Sequence, residues 1–321
     1  MVAKLVSGTV IFGDPKRLPL ASQAQEFLDI LKEHGVNHLD TAYVYPGGDT
    51  PTLSEKIIGE LGAEKQGFTI DTKVRSFIPG AHAYDKIIAS AKAQLEHLKI
   101  KQINTLYLHA PDRSIPFDET HKAMNELYKE GVFKNFGLSN YTADEVQIFL
   151  DNAEKNGWVK PTVYQGLYNL VSRLPEEHLF PLLRKNGIAF YAFTPLAGGF
   201  FSNIKKGQSP DANGRFDINA TFGGLYQNMF YKDAIFEASA ALNDLAEKHG
   251  LTSNAVALRW IRYHSGLSDN ENNAVILGGS NKNQLLENVL NATAGPLPDD
   301  VVAGVDRLWE IVKSQAPTYH F

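Results

Sequence analysis

Apolar and polar positions along the chain follow two alternating rhythms. Short apolar, β-rich runs occur at 5–9 (LVSGT), 37–41 (NHLDT), 68–73 (FTIDTK), 104–108 (NTLYL), 134–138 (KNFGL), 162–165 (TVYQ), 188–192 (IAFYA) and 274–277 (AVIL), and each predicts a strand. Longer stretches of helical period separate them. These predict helices over 21–34, 53–62, 84–98, 118–130, 142–155, 176–186 and 233–249, with further helices at 252–264, 282–291 and 298–314. Asp118 with His121 and Thr142 with Glu145 read as helix starts, the second as a capping box. "KEHG", "KNG" and "EKHG" place a basic residue in a last turn and glycine just after it, which stops a helix.

Eight strands, each followed by helix, with no break in composition, predict an α/β chain: a single (β/α)8 TIM barrel spanning residues 1–321 as one domain, with extra C-terminal helices. A doubly wound sheet would carry a Gly-rich fingerprint after its first strand, and neither G-x-G-x-x-G nor G-x-x-x-x-G-K occurs in the chain. One connection, Thr194 to Lys232, follows the seventh strand as a long loop rich in Gly, Asn and Asp. Loops of that length are usually functional.

The barrel makes strand ends the places to search for chemistry. Asp40 ends the second strand and Tyr45 lies in the loop after it; Lys73 ends the third strand and His109 the fourth. Each has an ordinary structural reading: a loop cap, rim packing, a snorkelling lysine, a core histidine. Four together on three consecutive strand ends point to a site. A buried Asp and Lys on neighbouring strands must pair. The fixed ammonium is expected to lower the pKa of the Tyr45 phenol, so that it trades protons near neutral pH. His109 is expected to orient a carbonyl oxygen by hydrogen bonding. His34 and His38 are four apart but straddle a helix end and a strand, which argues against a metal pair.

Composition narrows the classes. The 321 residues are 43% hydrophobic and 21% charged, an ordinary globular balance. A net charge of −5 gives no electrostatic reason to expect nucleic acid or an anionic membrane. Cysteine is absent, which excludes disulfides, thiolate metal sites and cysteine nucleophiles. The start "MVAKLVSGTVIFG" is interrupted by Gly and Ser and does not read as a signal peptide, so the sequons at Asn140, Asn219 and Asn291 are read as chance and a cytoplasmic protein is the expectation.

At the four strand-end residues the sequence resembles the aldo-keto reductases: "LDTAYVY", "DTKV" and "LHAPD" match that family's Asp, Tyr, Lys and His tetrad in order and spacing. Within the family it is similar to the aflatoxin-aldehyde reductase branch, through "FYAFTPLAGG", "GRF", "YQNMFYK", "ALRWIRYHS", "VILGGSNKNQLLEN" and "APTYHF".

The resemblance implies a barrel that binds extended NADPH/NADP+ without a Rossmann motif. It assigns Ser139, Asn140 and Gln165 to the nicotinamide carboxamide and Phe193 to stacking, where the family commonly has Tyr. It places Thr194, Leu196, Gly198 and Gly199 along the pyrophosphate. Ser280, Asn281, Lys282, Gln284 and Asn288 match the adenosine-phosphate segment, which opens the last barrel helix, and Arg215 matches a basic residue near the cofactor. Lys282 and Arg215 suggest NADPH over NADH.

On the substrate side the chain departs from the branch. Met229 stands where the branch usually has an arginine for a carboxylated substrate, and Val10, Phe12, Tyr226 and Phe321 would add apolar or aromatic surface. The expectation is therefore reduction of neutral or aromatic aldehydes and dicarbonyls rather than acid-bearing semialdehydes. Partners beyond a small carbonyl substrate are expected to be limited to a possible homodimer. Two other classes stay open: an NADP(H)-binding, redox-sensing accessory subunit like the potassium-channel β subunits, and a metal-dependent barrel hydrolase using Asp40 and His109, against which Lys73 argues.

Overall fold

The computed structural model describes residues 2–202, 204–211 and 214–321. Eight parallel strands close into a barrel in sequence order: β1 (Lys4–Gly8), β2 (His38–Asp40), β3 (Thr69–Lys73), β4 (Ile103–Leu108), β5 (Phe133–Ser139), β6 (Pro161–Leu167), β7 (Ala189–Phe193) and β8 (Ala274–Leu277). Six helices follow the first six strands one by one: α1 (Ala21–Glu33), α2 (Leu53–Glu60), α3 (Tyr84–Leu98), α4 (Phe117–Lys129), α5 (Ala143–Asn156) and α6 (Leu179–Lys185). Three lie between β7 and β8: α7 (Gly223–Phe230), α8 (Asp233–Lys248) and α9 (Ser253–Tyr263). After β8 come α10 (Lys282–Thr293) and α11 (Asp299–Val312), and α11 packs on α8 outside the barrel wall. This is the expected (β/α)8 TIM barrel.

Two apolar cores hold it. The larger lies between strands and helices, including Leu28, Phe136, Phe149 and Trp260. The smaller consists of strand residues alone, Val6, Tyr107, Val163, Ala189, Tyr191, Ala274 and Ile276. Because side chains alternate across a strand, these are the inward positions that fill a barrel of this size. Gly137 makes room among them: it is the β5 register partner of Tyr107, and a Cβ there would meet the Tyr107 ring at 2.2 Å.

The helix signals hold with two corrections. The Thr142–Glu145 capping box forms, Glu145 N–H donating to Thr142 Oγ1 at 3.2 Å and Thr142 N–H to Glu145 Oε2 at 2.9 Å. Gly35, Gly157, Gly187 and Gly250 follow helix ends with φ of 72°, 65°, 66° and 63°. Asp118, however, does not cap: α4 starts at Phe117 with Pro116 at the cap position, and Asp118 sits inside the first turn, where its carboxylate accepts Glu119 N–H at 3.0 Å. The long connection after β7 also contains a helix. α7 starts on two glycines with no side-chain cap, so neither periodicity nor a start signal marks it.

Candidate active site

All the strand-end side chains meet at one mouth. Asp40 and Lys73 close β2 and β3, His109 follows β4, Ser139 ends β5, Gln165 lies in β6 and Phe193 ends β7. Parallel strands in a closed barrel point their C-terminal ends to one face, which is why residues 125 positions apart can touch. Gln165 Nε2 donates to Asp40 Oδ1 at 2.8 Å.

The pair expected from the sequence is formed. Lys73 Nζ lies 2.6 Å from Asp40 Oδ2 and donates to the Thr41 carbonyl at 2.8 Å. Lys73 is fully buried, and its ammonium sits 5.0 Å from the centre of the Tyr45 ring. Burial disfavours the charged lysine, but Asp40, Tyr45 and Asp71 outweigh it and hold the pKa above the ordinary lysine value. Asp40 spends both oxygens on this arrangement, so its carboxylate anchors the ammonium rather than capping a helix.

One electrostatic expectation is overturned. The Tyr45 pKa is raised, not lowered: burial is the largest influence, and the Lys73 ammonium, though it pulls the other way, does not overcome it. Sequence reasoning counted the nearby cation and not the loss of water around the phenol. The phenol thus keeps its proton at neutral pH. His109 stands edge-on to Tyr45 with ring centres 5.8 Å apart. Burial, then Lys73 and His82, push its pKa well below the ordinary histidine value. The imidazole is neutral at neutral pH and carries one N–H to donate.

These groups open into a cavity of about 890 Å³. That is at the upper end for small-molecule sites, with room for more than a single small substrate. Asp40, Tyr45, His109, Ser139, Asn140, Gln165 and Phe193 line it at the barrel mouth. Thr194, Leu196, Gly198, Gly199, Arg215 and Tyr226 line the side made by the β7 loop, and Ser280, Gln284 and Asn288 the side made by α10. Val10 and Phe321 complete the lining among the expected residues. Lys73 lies beneath the floor.

Four expected residues stand elsewhere. Phe12 is buried in the main core against Phe27. Met229, on α7, packs against the same core and does not line the cavity, so it cannot select substrates by facing them. Asn281 caps α10, accepting Gln284 N–H at 3.0 Å, and Lys282 forms an exposed pair with Glu26 at 2.8 Å.

The cavity wall has the features of a phosphate- and amide-binding surface. Thr194, Ala197, Gly198 and Gly199 have φ of 58°, 50°, 72° and 93° in one short turn. Such runs are costly for residues other than glycine and cluster where a backbone must approach a ligand. At Gly198 a Cβ would meet the Tyr226 ring at 2.5 Å, and the Arg215 guanidinium lies 5.2 Å from that same ring. The first turn of α10 adds backbone N–H groups and the positive end of a twelve-residue helix. Asn288 Nδ2 donates to the Gly278 carbonyl at 2.7 Å, which ties the β8 exit to α10. The amides of Asn140 and Gln165 are held by their nitrogens, Asn140 on the His109 carbonyl at 2.8 Å and Gln165 on Asp40. Both side chains line the cavity.

The aldo/keto reductase family model matches residues 4–310. The chain belongs to the aldo/keto reductase family. Among relatives of this aldo/keto reductase, oxidoreductase sirO of Leptosphaeria maculans is 39% identical over 323 residues, covering 98% of this chain and 96% of that protein. The human aflatoxin B1 aldehyde reductase member 2 is 37% identical over 98% of this chain and 88% of its own length, and human aldo-keto reductase family 7 member A3 is 37% identical over 89% and 88%. The chain is accordingly an oxidoreductase of this family.

Some lining residues had not been singled out from sequence. Phe77 has φ of 68° and presents its ring 4.9 Å from His109 and 6.1 Å from Phe321. Arg75, Ser76 and Ile78 line the cavity beside it. The signal was available: "RSFIPG" puts exposed apolar residues in the loop directly after a barrel strand. Arg113 donates to Glu145 Oε1 at 2.7 Å and to the Phe321 carbonyl at 2.7 Å, which ties the start of α5 to Phe321 in the cavity lining. Among the described residues no cluster of three or more His, Asp or Glu side chains could hold a metal ion, and no helix is long and apolar enough to cross a membrane.

Proposed function

We propose that this aldo/keto reductase reduces apolar and aromatic aldehydes, and reactive dicarbonyls, to alcohols, with NADPH as the reductant and Tyr45 as the proton donor. The observation that carries the reading is the buried Asp40–Lys73 pair beneath the Tyr45 ring, beside a neutral His109, at the mouth of a cavity lined by the positive-φ turn at 194–199 and the start of α10.

When bound, NADPH supplies a hydride to the carbonyl carbon. Asn140 and Gln165 would hold the nicotinamide amide through their oxygens, with Ser139 beside them and Phe193 against the ring. The turn at 194–199, Arg215 and the start of α10 would hold the phosphates. Lys282, whose exposed pair with Glu26 is worth little, would supply the charge for a 2′-phosphate. The neutral His109 donates its N–H to the carbonyl oxygen and orients it. As negative charge grows on that oxygen, the Tyr45 O–H proton moves to it and the phenol becomes phenolate. The Lys73 ammonium attracts that phenolate far more than it attracts the resting phenol. Its stabilisation is therefore realised in the transition state, where it raises the rate. A proton from water then restores the phenol.

Apolar substrates are supported by Phe77, Ile78, Leu225 and Phe321, which line the same cavity as Tyr45. The support comes from these residues and not from Met229. A panel of aldehydes assayed with NADPH and NADH, together with fluorescence titration of both cofactors, tests the proposal. Tyr45→Phe should lose most turnover while binding NADPH as before. Normal reduction of 4-nitrobenzaldehyde by that variant would refute the role of Tyr45, and succinic semialdehyde as the most efficient substrate would refute the substrate class. Equal affinity for the two cofactors would refute the preference for NADPH. A parent protein that holds NADPH tightly and turns over aldehydes negligibly would be a redox-sensing subunit instead.

A further inference from the structure

The two strands that carry the Asp40–Lys73 pair repeat the same diagonal one layer lower. His38 on β2 places Nε2 2.8 Å from Asp71 Oδ2 on β3. Residues two apart on a strand face the same side, so His38 lies below Asp40, and Asp71 below Lys73, inside the barrel. The polarity reverses between layers: β2 carries histidine and then carboxylate, β3 carboxylate and then ammonium. Register sets Asp40 directly opposite Asp71. Two buried carboxylates therefore face each other across neighbouring strands, and each needs its own cation.

Asp71 is fully buried and well held. Asn104 Nδ2 donates to Oδ1 at 2.7 Å, and the Tyr107 hydroxyl approaches Oδ2 at 3.5 Å. The groups that face His38 come from every side of the barrel floor: Asp71 on β3, Asp40 on β2, Lys4 on β1, and the Tyr191 ring on β7 edge-on at 6.0 Å. Burial is the largest influence on His38 and favours the neutral ring, but the two carboxylates outweigh it together, and Lys4 opposes them only weakly; the net direction is upward. With His38 neutral the interior holds two carboxylates and one ammonium. With His38 protonated the charges balance.

We propose that His38 and Asp71 form a second ion pair beneath Asp40 and Lys73, and that the proton on His38 controls how readily Tyr45 gives up its own. This rests on Tyr45 being the proton donor. When His38 loses its proton, the uncompensated Asp71 charge draws on the Lys73 ammonium. The phenolate is then less well stabilised, and Tyr45 holds its proton more tightly. His38 touches neither substrate nor cofactor; it is a positioning residue that acts through Asp71 and Lys73.

The test joins a titration with a rate profile. The ring carbons of the histidines are labelled and followed by NMR against pH in the parent, in Asp71→Asn and in His38→Gln, which identifies the His38 resonance. His38 should titrate above the ordinary imidazole value of about 6.5, and its midpoint should fall by about one unit in Asp71→Asn. In NADP+-dependent alcohol oxidation, which requires the phenolate, kcat below the His38 midpoint should be about tenfold lower in His38→Gln than in the parent, and the two should converge above that midpoint, where His38 is neutral in the parent as well. It should return towards the parent in His38→Lys, which restores the cation, while NADPH affinity and the KM for aldehyde stay within about twofold. A His38 midpoint at or below 6.5, or one unmoved by Asp71→Asn, overturns the ion pair. A profile that superimposes on the parent in His38→Gln overturns the control of Tyr45. Should His38→Gln fail to fold, the profile is compared between the parent and His38→Lys: the rates should coincide at acid pH and be higher in His38→Lys above the His38 midpoint, and identity throughout overturns the control. Because the titration needs no turnover, it decides the ion pair even if Tyr45→Phe shows that Tyr45 is not the donor.

Discussion

Replacing Lys73 by methionine removes one charge from a fully buried site and keeps most of the side-chain volume. Two separate losses follow. The first is catalytic. With the ammonium 5.0 Å from the Tyr45 ring centre and an effective dielectric of about 20, the attraction between ammonium and phenolate is about 3 kcal/mol. Its loss should cost roughly two powers of ten in kcat. The second is conformational. Asp40, 3% exposed, would keep only Gln165 as a partner, and removing one member of a buried pair typically costs about 3–5 kcal/mol. The pH dependence has a definite sign. Without the cation, burial and the neighbouring Asp71 carboxylate outweigh the Gln165 hydrogen bond and raise the folded pKa of Asp40 above the unfolded value. Such a group stabilises the fold below the unfolded pKa and loses that contribution as pH rises through the folded pKa. The stability deficit of Lys73→Met should therefore be largest near pH 7 and shrink towards pH 4–5. Neutralising Asp40 as well should relieve it: Asp40→Asn with Lys73→Met should be more stable at pH 7 than Lys73→Met alone, yet no more active. Urea unfolding across pH 4–8, with 4-nitrobenzaldehyde reduction measured alongside, reads all of this. A single variant as stable as the parent, or a double variant no more stable than the single, would refute the coupled pair.

Three further outcomes follow from the geometry. Gly198→Ala puts a Cβ against the Tyr226 ring in a backbone with φ of 72°, and should weaken NADPH binding tenfold or more while the circular dichroism spectrum stays that of the parent; unchanged affinity would count against the turn as a phosphate seat. Thr142→Ala removes the α5 cap and should cost about 1 kcal/mol in urea unfolding, with no measurable change meaning that the capping box contributes nothing. Because burial keeps His109 neutral, any inflection in the rate of reduction between pH 6 and 8 should persist in the residual activity of His109→Gln, and its disappearance there would show that His109 titrates in that range.

The barrel was legible in the chain because it is written in local periods. Short apolar, β-rich runs marked all eight strands, and helical period with Thr142–Glu145 and Gly35 marked where helices begin and stop. The tetrad was legible because strand ends of a barrel share one face, so residue type and position sufficed to bring Asp40, Tyr45, Lys73 and His109 together. What only the tertiary structure decided depends on burial and on distances across strands, which no local pattern carries. The direction of the Tyr45 shift turns on how much water the phenol loses. The placement of Phe12 and Met229 in the core, and of Phe77 against His109, turns on which way each segment packs. α7 starts on glycines and is held by the core beneath it. The diagonal from His38 to Asp71 exists only because β2 and β3 pair in one particular register, where a slip of either strand by one residue would turn its side chain out of the barrel.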